Sequence, residues 1–230
     1  MINSKSAYEK SHEWYTLHRP RNKNQLDIVP KIFIQRTRNP RLKTRLVAAM
    51  DEIGVYGMES VIIVTAKKEK LDLYHLIALL NSKLFNFLFK TKFLNVAVKA
   101  EYLKEIPVPE SSKSLIEYSK KIINLSNYLF KSINSAVEFL SSECHIINPN
   151  ERIKNFYKFE WNDFNKELEK QKVKLEINKK EELYNWFISK QKDLKSLETE
   201  ITSIENLINL TVYELYRLTK QEIEIIELNN

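Results

Sequence analysis

The chain has 230 residues, of which 43% are hydrophobic and 29% are charged, and it carries a net charge of +7. This composition is typical of a folded protein with one domain or two small ones. It contains only two glycines, Gly54 and Gly57, and one cysteine, Cys144. Phosphate-binding loops need glycine for close backbone approach, and a disulfide or thiolate zinc site needs several cysteines, so these sites are excluded.

The first half of the chain shows short runs typical of strands. Lys31–Gln35 is apolar and partly β-branched, and it follows a proline that prevents a helix from running into it. Val55–Met58 and Ser60–Thr65 predict two further strands, the second of the continuously buried type. Gly54 and Gly57 are predicted at turns or bulges between them. We therefore expect a small mixed β-sheet in this region.

Helical periodicity begins after this region. Apolar residues recur at spacings of three and four over Leu73–Leu88, which predicts one amphipathic helix. Pro107 and Pro109 then predict an extended segment. These elements complete an α+β part, which we place at residues 1–110.

The second part, residues 111–230, is predicted to be all-helical. Leu115–Leu140 predicts a long helix that ends in a polar break at residues 144–150. Over Leu183–Ile208 the apolar residues follow a heptad pattern with one polar interruption, Lys190. We expect long helices that are antiparallel or coiled-coil-like, because a rod with one apolar stripe needs a partner stripe.

The sequence contains no complete catalytic set. The four histidines lack the helical spacing of a metal site, and His75 is predicted at the surface or at the edge of the core. The acidic residues are predicted on solvated helix faces and turns rather than in a nuclease centre, which makes a stand-alone nuclease a weak alternative. Asn39-Pro40 and Asn148-Pro149 lack the second proline and the aromatic residue of an adenine methyltransferase motif. We expect a non-catalytic chain that itself holds no metal and no cofactor.

Positive charge is concentrated at one end of the chain. Residues 1–50 contain eleven basic and three acidic residues, a net charge of +8, so the remainder sums to about zero. Such a block favours a polyanionic partner, because arginine can donate two hydrogen bonds to guanine or to a phosphate. A solvated basic surface is the alternative. The predicted DNA-binding residues are Arg19, Arg21, Lys23, Arg36, Arg38, Arg41, Lys43 and Arg45.

Four segments of the chain resemble one known family. They are Trp14–Asn22, Pro30–Thr37 followed by Ala48–Tyr56, Leu76–Phe87 with the later Leu103–Pro109, and the tail Val212–Glu227. Together they resemble the TaqI-like C-terminal specificity region of type IIG and related adenine-specific restriction–modification methyltransferases. In the tail, the family usually has glycine where this chain has Arg217.

The resemblance implies a division of labour. Residues 1–110 would form a target-recognition domain whose residues 19–45 face double-stranded DNA, with the helix around Asn81–Lys83 and the Pro107–Pro109 segment as scaffold. Residues 111–230 would be a spacer or dimerisation region, which leaves open a homodimer through the 183–208 helix. A methyltransferase domain or subunit outside this chain would bind S-adenosylmethionine and modify adenine, with or without endonuclease activity in the parent protein.

Two further expectations complete the sequence-based picture. Residues 1–10 are polar and the apolar runs are much shorter than the roughly 20 residues that span a bilayer, so we expect a cytoplasmic protein with no membrane partner. A different class of function stays open as the alternative to DNA recognition. In it, the chain is a helical assembly protein in which the heptad pattern drives association and the basic surface is incidental.

Overall fold

A computed structural model describes residues 27–39, 41–57, 59–66, 71–93 and 95–229. Within these residues the protein is α+β, as the sequence predicts, with a three-stranded sheet and eight α-helices. The strands are β1 Lys31–Gln35, β2 Ala48–Asp51 and β3 Val61–Val64. The helices are α1 Leu73–Asn81, α2 Lys83–Lys92, α3 Ala100–Lys104, α4 Lys113–Glu143, α5 Glu151–Lys154, α6 Trp161–Lys170, α7 Ile177–Leu215 and α8 Lys220–Leu228, and a 3₁₀ turn spans Phe156–Lys158.

The three strands are ordered β2-β1-β3, and both pairings are antiparallel rather than mixed. β1 has the predicted bounds, and β3 lies within the predicted run, although its side chains are half-buried rather than fully buried. β2 was not predicted, because its sequence Ala-Ala-Met-Asp lacks the β-branched and aromatic residues that favour strands. Phe33 stands opposite Ala49 on β2 and Ile63 on β3, which fixes the register.

The predicted strand at Val55–Met58 is wrong for residues 55–57, which form an irregular segment. The carboxylate of Asp51 accepts hydrogen bonds from the backbone N–H groups of residues 53, 54 and 55 and turns the chain after β2. Gly54 has φ +86°, a conformation that side chains disfavour. Gly57 lies so close to the sheet that a Cβ there would be 2.7 Å from side-chain carbons of Phe33 and Val61.

The helix predicted at Leu73–Leu88 is in fact two helices that meet at Ser82. Asp72 caps the first by accepting from the N–H groups of Tyr74 and His75. The Ser82 hydroxyl donates to the carbonyl of Leu79, which ends α1, and accepts from the N–H of Phe85 in the first turn of α2. Serine can replace backbone hydrogen bonds in this way, so it interrupts a helix without interrupting its apolar spacing.

By contact density the protein divides into two compact units, residues 1–120 with 207–230, and residues 121–206. The first contains the sheet, α1–α3, α8, the beginning of α4 and the end of α7. The second contains α5, α6 and the remaining parts of α4 and α7. The domain boundary at residues 110 and 111 stays a prediction.

Within the second unit α4 and α7 run antiparallel. Near the start of α4, Lys121 pairs with Glu200 of α7 at 2.9 Å. Near the end of α4, Phe139 stacks at 5.0 Å on Trp186, which lies earlier in α7, so the two helices run in opposite directions. Most of the predicted heptad positions are buried inside this chain, and Lys190 is exposed. The buried positions are Leu183, Phe187, Leu194, Ile204 and Ile208.

Aromatic side chains fill the core of the second unit. Phe187 on α7 lies 5.0 Å from Phe164 in a stacked pair and 5.4 Å from Trp161. Phe156 lies between these residues and Trp186, with ring centroids 5.4 Å from the latter. This cluster joins α6 and the 3₁₀ turn to α7.

Three helix-ending turns use left-handed residues that are not glycine. His145, Lys172 and Arg217 have φ values of 53°, 62° and 53°. At Arg217 the N–H of Leu218 donates to the carbonyl of Tyr213, the bond that closes a Schellman turn. The helix therefore ends at Arg217 in a turn that usually favours glycine.

None of the helices in the part of the chain that the structure describes is long and apolar enough to cross a membrane.

Candidate nucleic-acid interface

The residues between β1 and β2 form a loop rich in positive charge, which we call the basic loop, residues 36–45. It carries Arg36, Arg38, Arg41, Lys43 and Arg45, and its sequence contains no acidic residue. All of these five residues are described, whereas the predicted contacts Arg19, Arg21 and Lys23 lie outside the described residues. The structure therefore brings five of the eight predicted DNA-binding residues into one loop.

The first residues of the loop extend the sheet. The N–H of Arg36 donates to the carbonyl of Ser60 at 2.9 Å, and its carbonyl accepts from the N–H of Val98 at 2.7 Å. The N–H of Arg38 donates to the carbonyl of Val96 at 3.3 Å. Because the backbone is paired on both sides, the loop begins at a fixed position.

The buried side chain of Arg45 anchors the other end of the loop. Its side chain is 1% exposed, and its guanidinium donates to the carbonyls of Arg38 at 2.8 Å, Val96 at 3.0 Å and Asn95. Burial, and to a lesser degree the charge of Arg38, lowers the pKa of Arg45. The prediction that Arg45 contacts DNA is not supported, because its guanidinium is buried and its terminal nitrogens donate to the carbonyls of residues 38, 95 and 96.

Two asparagines attach the end of the basic loop to the helices behind it. Asn86 on α2 is buried, and its Oδ1 accepts from the backbone N–H groups of Arg45 at 2.6 Å and Leu46 at 2.7 Å. Asn81, at the end of α1, both accepts from and donates to the backbone of Ala48 at 3.0 Å. The two side chains thus form hydrogen bonds with backbone groups at and just before the start of β2. This gives the predicted scaffold around Asn81–Lys83 a physical role.

The importance of Asn86 was missed in the sequence reasoning. A signal was present, since Asn86 is a polar residue on the apolar face of α2, next to the buried Phe85 and Phe89. A polar residue on such a face costs stability unless it is hydrogen-bonded, so it marks a specific contact.

The remaining cations of the loop point to its surface. Arg36, Arg41 and Lys43 are exposed, and within the described residues none of them forms an ion pair. Arg38 is half-buried, and its guanidinium donates to the carbonyl of Thr44 at 2.6 Å and to Gln35 Oε1 at 3.1 Å. The loop thus presents three cations to solvent on a backbone that two other arginines hold in place.

Comparison with protein families finds a match for the region that carries this loop. Residues 1–108 match the TaqI-like C-terminal specificity domain. This match confirms the resemblance seen in the sequence for that part of the chain. Residues 109–212 match a domain of unknown function, DUF8810. No curated protein and no solved structure matches the chain at a significant level.

The tail of the chain packs on the region that carries the sheet and α2. The Lys83 N–H at the start of α2 donates to Asn209 Oδ1 at 2.8 Å, and the Lys83 ammonium pairs with Glu227 on α8. Tyr216 donates to the carbonyl of Pro107 at 2.6 Å. Residues 207–229 thus belong structurally with the sheet and α2, and they support the helices that hold the basic loop.

Two other side chains with reactive groups, His75 and Cys144, are core components. His75 is fully buried rather than at the surface or core edge, its Nδ1 accepts from the N–H of Ser112 at 3.3 Å, and burial lowers its pKa. Burial also raises the pKa of the Cys144 thiol, which makes it a poor nucleophile. Within the described residues no three His, Cys, Asp or Glu side chains lie close enough to hold a metal ion.

Proposed function

We propose that this chain recognises duplex DNA for a restriction–modification methyltransferase and that the basic loop of its specificity domain contacts the DNA. The observation that carries the proposal is the exposure of Arg36, Arg41 and Lys43 together on a fixed loop, in a region that matches a specificity domain. Fixed cations suit DNA because each can neutralise a phosphate and release a counterion. A loop anchored to a sheet and two helices also suits recognition, since it loses little conformational entropy on binding.

The proposal divides the work between two proteins or domains. A methyltransferase outside this chain would bind S-adenosylmethionine and modify adenine, while this chain would select the sequence and position the enzyme. The residues of the basic loop supply donors for phosphates and base edges. Residues 111–230 would act as a helical spacer or dimerisation region within the parent assembly.

A charge-reversal variant tests the proposal. Replacing Arg36, Arg41 and Lys43 with glutamate should weaken retention on duplex DNA on the order of 100-fold, because three phosphate contacts become repulsive. The measurement is binding of the 230-residue chain to a fluorescent duplex at fixed low salt. All three residues are exposed, so the fold should be retained, which circular dichroism checks.

A matched control separates a local contact from a general effect of charge. Lys179, Lys192 and Lys195 on α7 are also exposed, and their replacement with glutamate changes the net charge of the chain equally. We expect this control to bind DNA much more strongly than the loop variant. Equal losses in the two variants, or undiminished binding by the loop variant, would contradict the assignment of the basic loop.

A further inference from the structure

One apolar side chain lies in the middle of the exposed cations. Leu42 is 43% exposed and stands between Arg41 and Lys43, both exposed. The turn that carries it is hydrogen-bonded, since Asn39 accepts from the N–H of Arg41 through its side chain at 3.0 Å and from the N–H of Leu42 through its carbonyl at 3.1 Å. Leu42 is therefore partly exposed while its own N–H is held by the carbonyl of Asn39.

The two arginines at the base of the loop are tied to its backbone, whereas Leu42 is not buried. Arg38 donates to the carbonyl of Thr44, and the guanidinium of Arg45 is buried and donates to the carbonyl of Arg38. Leu42 keeps 43% of its surface exposed. The side chain of Leu42 can then lose its solvent contact when a ligand covers the loop.

We propose that Leu42 is a specificity-determining residue that contacts the C5 methyl group of a thymine in the major groove, while Arg41 and Lys43 bind the flanking phosphates. This inference rests on the proposed function of the basic loop. The thymine methyl is the apolar group that base edges present in the major groove, and aliphatic side chains recognise it by direct contact. The two neighbouring cations suit this position because phosphates border the groove.

Two duplexes and two variants test the inference. The wild-type chain first selects its preferred site from a pool of duplexes with a randomised centre, and that site is then made with thymine or with uracil, which lacks only the methyl group. The wild type should bind the uracil duplex about fourfold more weakly, the change expected for one buried methyl group. Leu42→Ala should bind the two duplexes equally, because its partner contact has been removed.

The control is Leu210→Ala, because Leu210 is an exposed leucine on α7, 55% exposed. This variant should distinguish the duplexes as the wild type does. Two outcomes would overturn the assignment of Leu42 to a thymine methyl. In the first, Leu42→Ala still prefers the thymine duplex as the wild type does. In the second, Leu42→Ala weakens binding although the wild type binds both duplexes equally.

The outcome for the wild type separates this inference from the function on which it rests. A chain that selects a sequence but does not use Leu42 overturns only the inference. A chain that retains no duplex from the pool at low salt overturns the proposed function as well.

Discussion

Replacing Arg45 with methionine is expected to lower the free energy of unfolding of the unit that contains the sheet by about 3 kcal/mol. The buried guanidinium donates to three backbone carbonyls, and methionine, which keeps only an unbranched apolar stem, can satisfy none of them. Hydrogen bonds from charged groups contribute roughly 1.5–3 kcal/mol each, while release of the buried charge from desolvation offsets part of the loss.

Hydrogen exchange of the β1 amides measures this change directly, because β1 lies at the centre of the sheet. The control is Arg36→Met, which alters an exposed arginine of the same loop and should change the free energy of unfolding by no more than about 0.5 kcal/mol. Equal protection in the two variants would show that the Arg45 hydrogen bonds do not hold the loop.

Replacing Phe187 with alanine should produce the largest loss in the second unit, about 3–5 kcal/mol. Its ring is fully buried and contacts Phe164, Trp161 and Phe156. Alanine would therefore leave a cavity between α6, the 3₁₀ turn and α7. The surrounding rings are rigid and cannot fill that space completely.

The fluorescence of Trp161 and Trp186 during urea unfolding, recorded in chains whose third tryptophan, Trp14, is replaced by phenylalanine, reports on this unit, since both indoles belong to its aromatic cluster. Ile188→Ala provides the control, because Ile188 is adjacent in sequence and 42% exposed. We expect only a small shift of its unfolding midpoint. If Phe187→Ala shifted the midpoint no further than this control, the aromatic cluster would not be the core of the unit.

Periodicity predicted the long elements well. The helices around Leu115–Leu140 and Leu183–Ile208 are confirmed because many apolar positions repeat along each of them. The same signal could not find the break at Ser82, since the hydroxyl replaces backbone hydrogen bonds while the apolar spacing continues. β2 could not be predicted, because its own residues do not favour a strand and it becomes one only by pairing with β1.

The charged residues of the candidate interface could be predicted only as a group. Composition and loop-like sequence placed the arginines together, but Arg41 is exposed and Arg45 is buried although nothing in their local sequence distinguishes them. Arg45 is buried because the carbonyls of residues 95 and 96, about fifty positions later in the chain, converge on it. No local pattern contains that information, since it depends on how the loop meets a distant segment.

The salt dependence of DNA binding tests the central claim most directly. The measurement is the slope of the logarithm of the binding constant against the logarithm of salt concentration, for the wild type and for a variant with glutamine at positions 36, 41 and 43. If the three exposed cations each contact a phosphate, the slope of the variant should be smaller in magnitude by about 2.7. Identical slopes for the two proteins would contradict the assignment of the basic loop as the DNA interface.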